Sequence, residues 1–126
     1  MKRLRLRKNR KQFEEALFKL KSISALKDIN KQVEHLNQLW KGYLDPDRSY
    51  KLQALTTNEL KDELQKLDHL SEENQEKLIR ASKLYDRAIY ANNEVEGDEI
   101  NDLLVQLLPA FEAEYQRRKE LLSQDR

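Results

Sequence analysis

The chain has 126 residues, enough for one modest core, and its 24 Lys and Arg against 23 Asp and Glu leave a formal net charge of +1. It holds no cysteine, which excludes disulfides and thiolate metal sites, and only two glycines and two prolines, which argues against hairpins and long loops. Disorder is the competing reading of a mean hydropathy of −0.95, but the apolar residues recur at helical spacing instead of being diluted.

Charge is unevenly distributed. Lys2, Arg3, Arg5, Arg7, Lys8, Arg10 and Lys11 crowd the first eleven positions without an acid. With those seven set aside, 17 of the 24 basic residues remain against 23 acids, so the body stands at about −6. Residues 1–8 are expected to be a flexible basic tail and 9–126 a single helical domain. No apolar run follows the basic one, so the N-terminus does not read as a secretory signal. Nor does any run approach the roughly 20 apolar residues that cross a bilayer. With the lack of cysteine, this points to the cytoplasm.

In chain order, a first helix is predicted from near Asn9 through Phe13, Ala16, Leu17 and Leu20. Ser24 is the expected N-cap of a second helix carrying Leu26, Ile29, Val33, Leu36, Trp40 and Tyr43, either separate from the first or continuous with it. It ends near Leu44, because Pro46 disfavours helix at Asp45. Residues Arg48 to Leu55 read as irregular or one short turn. Thr56 with Glu59 makes a capping box for a short helix bearing Leu60, Leu64 and Leu67. Ser71 caps the next, which carries Leu78, Ala81, Leu84, Tyr85, Ala88 and Ile89. Asn92 to Gly97 form a loop, and Asp98 is the expected cap of a last helix with Ile100, Leu104, Leu107, Phe111 and Tyr115. Pro109 either kinks that helix or opens a separate one. The fold class is all-α, a compact bundle of four to six amphipathic helices with short connections.

The parts of nucleophilic or nucleotide chemistry are missing, so no catalytic residue and no cofactor are expected. His35 and His69 have no second histidine at ligand spacing and read as surface or boundary residues on helical segments. Asn92, Glu94, Glu96 and Gly97 imitate the start of a calcium loop, yet Leu103 stands where the bidentate glutamate belongs. That loop reads as a helix connection. The basic stretch has three readings: anionic lipid headgroups, nucleic-acid phosphates, or a solvated end. Trp40, Tyr43 and Tyr90 are candidate partner contacts, since Trp and Tyr anchor interfaces; each is also an ordinary core or boundary aromatic.

Three stretches carry a resemblance: His35 to Leu44, ending in LWKGYL, the LTTNEL run Leu55 to Leu60, and Leu84 to Ala91, which holds YDRAIYA. Their succession resembles the cytoplasmic helical region of BatD-type membrane proteins and small DUF4381-type proteins of the same operons. Such proteins accompany MoxR-type AAA+ ATPases and von Willebrand factor A-domain proteins. The resemblance therefore implies a membrane-proximal adaptor with a protein partner of that kind. A nucleic-acid-binding protein led by the basic stretch is the alternative. Deleting residues 1–8 is expected to leave the fold intact, and Leu84→Asp or Leu104→Asp to unfold it.

Overall fold

A computed structural model describes residues 2–90 and 95–124. Among these described residues six α-helices follow one another: α1 (Lys2–Ser22), α2 (Ile29–Leu44), α3 (Thr57–Gln65), α4 (Glu72–Ile89), α5 (Gly97–Gln106) and α6 (Leu108–Gln124). One-turn 3-10 segments occupy Ile23–Ala25 and Leu52–Ala54, and no strand occurs among the described residues. The all-α bundle expected from the apolar spacing is what forms.

Local chemistry sets most of the boundaries. The Asp28 carboxylate accepts the Asn30 amide at 2.9 Å and caps α2. Ser24 is not the cap: its hydroxyl donates to the Lys21 carbonyl inside the 3-10 turn that separates α1 from α2. The capping box is present, with the Thr56 amide donating to the Glu59 carboxylate at 2.9 Å. Ser71 caps α4 through the Asn74 amide. Helix α5 begins two residues earlier than expected, with Glu96 as N-cap and the Glu96 amide bonded to the Glu99 carboxylate. Asp98 is instead inside the helix. Pro109 sits in the first turn of α6, where its missing N–H is harmless, so the run breaks at Leu107.

The start of α1 is a correction. The helix begins at Lys2, so residues 2–8 form its first two turns and the expected boundary at Asn9 is not a boundary. The stretch is rich in Arg, Lys and Leu, all strong helix formers. It also lies against α6, whose end it meets antiparallel: Lys2 Nζ donates to the Ser123 carbonyl at 2.9 Å. Leu6 is half-buried and Asn9 is buried on the packed side.

The core joins every helix. Trp40, Phe111, Leu20, Leu36, Leu60, Leu78, Ile100 and Leu107 are almost wholly enclosed. Helix α1 packs on α6, while α2 and α3 pack on α4. Ala81 and Ala88, both buried, keep the α4 surface low enough for close approach. Between α2 and α3 the chain turns through Arg48 and Lys51 at φ of 60° and 57°. The buried Asp45 carboxylate secures that turn by accepting the Tyr50 and Leu52 amides, each at 3.1 Å.

Candidate functional site

Lys2, Arg3, Arg5, Arg7, Lys8, Arg10 and Lys11 are all solvent-exposed on α1. Helical geometry spreads them over a wide arc, with Leu4, 64% exposed, among them. Two local rules are broken here. The positive end of the helix macrodipole carries no acid in its first turn, and like charges recur at i and i+4. Packing is what offsets this repulsion. Phe13 stacks on Tyr115 with ring centroids 4.4 Å apart, and Ala16 and Leu20 reach the core. A cluster of like charges that its own helix disfavours is where function is sought.

The three aromatic candidates separate. Trp40 is fully enclosed and Tyr43 is 8% exposed, so both belong to the core and neither is available to a partner. The reason is their place on α2, which is covered by α4 on one side and by α1 and α6 on another. Tyr43 stacks on Phe111, and burial lifts its hydroxyl pKa to about 12 despite the nearby Arg118. Tyr90 is 75% exposed and touches Tyr85 edge-on.

A buried ion cluster escaped sequence reasoning. Glu114 on α6 has no exposed surface. Its Oε1 meets His69 Nε2 at 2.8 Å, and its Oε2 accepts from Arg117 at 2.7 Å and Arg118 at 2.6 Å. Arg118 continues to the Tyr43 carbonyl and lies 4.6 Å over the Tyr43 ring. Burial alone would raise the Glu114 pKa, but the His69 hydrogen bond and the two guanidinium groups hold it below its usual value. The cluster thus pins α6 to the end of α2 and to the α3–α4 turn. His69 lies in that turn, not on a helix as expected. The i+3 and i+4 spacing of Arg117 and Arg118 from Glu114 was visible; the depth of the carboxylate was not.

A second polar group ties α2, α3 and α4. The Thr57 hydroxyl donates to Asp86 at 2.6 Å and lies 2.7 Å from the Ser82 hydroxyl. Lys41, 4% exposed, has its pKa lowered by burial, with Asp86 opposing the shift. Its ammonium stands 5.6 Å from the Trp40 ring. These contacts hold helices together. Among the described residues, no three His, Cys, Asp or Glu side chains gather where they could hold a metal ion. Asn92 and Glu94 of the calcium-like loop lie outside those residues. Among the same residues no helix is long and apolar enough to cross a membrane.

The chain matches no family model, no curated protein and no solved structure.

Proposed function

We propose that the chain is a non-enzymatic, protein-binding helical module. It works against the cytoplasmic face of a membrane, as an adaptor for a MoxR-type AAA+ and A-domain system. The observation that carries the membrane half is the exposed basic surface of α1. A helix laid along α6 presents these charges sideways, and each contributes on the order of 1 kcal/mol near anionic lipid. Exposed Leu4 among them suits the boundary between headgroups and acyl chains. The aromatic residues that single-stranded nucleic acid stacks on are absent from residues 1–11. The protein-partner half rests on the resemblance carried by residues 35–44, 55–60 and 84–91.

Vesicle sedimentation tests the first half. The chain should pellet with phosphatidylserine-containing vesicles and remain in solution with pure phosphatidylcholine. Substituting Arg3→Glu, Arg7→Glu and Lys11→Glu together should abolish pelleting, and raised salt should weaken it. Pelleting that ignores these substitutions sinks the reading. For the second half, a nuclease-treated pull-down should recover an AAA+ ATPase or A-domain protein. Recovery of only RNA- or DNA-dependent proteins, lost with residues 1–11, would instead make the basic helix a nucleic-acid contact.

A further inference from the structure

Helix α1 carries apolar side chains on two opposite sides. Leu6, Phe13, Ala16 and Leu20 turn toward the bundle and are buried or half-buried. Leu4, 64% exposed, and Phe18, 72% exposed, stand apart from that line. Leu4, Lys11 and Phe18 follow one another at heptad steps, so they fall within about 40° of a single line opposite the packed one. A lone apolar side chain in water needs no explanation. Two on one line, about 21 Å apart along the axis, make a feature of the surface.

Charge says what that surface meets. Helix α1 holds nine lysines and arginines against two acids, Glu14 and Glu15. Lys11 lies on the line itself, and Arg7 and Lys8 flank it, all three exposed. Glu14 is occupied by Arg10 at 3.1 Å. Glu15 stands one turn from both Lys11 and Lys19, so neither acid reverses the sign of the face. Residues 57–76, over α3 and the start of α4, hold seven acids against two lysines. An anionic surface attracts the first region and repels the second, which sets the orientation of the molecule. Nucleic-acid phosphates would serve the cations but offer the two apolar side chains no phase to enter.

We infer that α1 lies flat on an anionic bilayer, its axis in the membrane plane. Leu4 and Phe18 dip below the headgroups, and Arg7, Lys8 and Lys11 meet the lipid phosphates between them. The helix is then held on both sides, by α6 and α2 within the protein and by lipid outside it. A tether made by the first residues alone would leave Phe18 in water and the body free to tumble. The inference deepens the membrane half of the proposed function and rests on it, and is independent of the protein-partner half.

The chain has no cysteine, so a single cysteine placed at an exposed position can carry a nitroxide. Leu4→Cys, Phe18→Cys and, on α5, Val105→Cys are labelled in the full chain; Val105 is itself 67% exposed and serves as the control. On vesicles of phosphatidylserine and phosphatidylcholine, depth is read from collisions with oxygen, which concentrates in acyl chains, and with a water-soluble nickel chelate. Labels at positions 4 and 18 should both lose collisions with nickel and gain them with oxygen, at similar depth, while the label at 105 stays in water. Phe18→Ala should weaken partitioning to these vesicles about tenfold, the loss expected when a partly buried phenyl group is withdrawn from lipid. Its melting temperature should match the parent's, because Phe18 lies outside the core, and Val105→Ala should change neither quantity. Failure of the parent chain to pellet with the anionic vesicles overturns the membrane reading and this inference with it. Pelleting that persists while the label at 18 stays as open to nickel as the label at 105 overturns the inference alone, since the first turns of α1 then make the whole contact. Parent-like partitioning of Phe18→Ala would overturn it in the same way. Equal immersion of the label at 105 would also overturn it, by showing insertion without a fixed face.

Discussion

The two ends of the α1–α6 pair use the same side chains to opposite purposes. At the start of α1, arginines and lysines stand in solvent, where an ion pair such as Arg10 with Glu14 is screened and contributes little. Toward the middle of α6, Arg117 and Arg118 converge on a carboxylate that water does not reach. The difference teaches that charge in this chain is structural where it is enclosed and available where it is not.

The largest expected effect comes from placing an unpartnered acid in the interior that tolerates Glu114. Leu84→Asp or Leu104→Asp should cost several kcal/mol and abolish the cooperative melting transition seen by circular dichroism. A native-like transition in either would show that enclosure matters less than the comparison claims. Next is Glu114→Ala, which leaves His69, Arg117 and Arg118 facing an empty site. It should cost about 3–5 kcal/mol in urea unfolding. A loss below about 1 kcal/mol would mean the cluster opens readily to water.

Acidification sharpens the same point. Because the Glu114 pKa is below its usual 4.5 in the folded chain, its contribution is fully present above the ordinary carboxylate range. It is lost as pH falls through the folded value. The melting temperature of the parent should therefore drop below about pH 4 more steeply than that of Glu114→Gln, which cannot titrate there. Parallel curves would contradict this.

Deleting residues 1–8 comes next in size. The sequence suggested that the fold would stay intact; Lys2 bonds to Ser123 and Leu6 is half-buried, so a loss of about 1 kcal/mol is expected with the fold retained. Smallest is Arg10→Ala, which should leave the melting temperature unchanged.

How much of this was legible follows from the range of the interactions. Thr56 with Glu59, Ser71 and the stop at Leu44 are local, and each was readable within four residues, whereas the sequence left open whether Pro109 kinks one helix or opens another. Asp28 displaced Ser24 as a cap because Ile23–Ala25 tightened into a 3-10 turn after α1, a choice that depends on how α1 and α2 must cross. Trp40 and Tyr43 read equally well as anchors or core, since an aromatic on a helical stripe looks the same in either role. Their enclosure was decided by α4, α1 and α6 together.

By itself, then, the sequence determined most of the helical segments, the Thr56 and Ser71 caps and the concentration of positive charge at one end, because periodicity, hydroxyl capping and charge are properties of neighbouring residues. Tertiary structure alone decided three things. It brought His69 to Glu114 across 45 positions, extended α1 to Lys2 against α6, and left Phe18 in solvent with Leu4. Each depends on which apolar faces meet, and burial is a property of the whole packed chain that no local pattern carries.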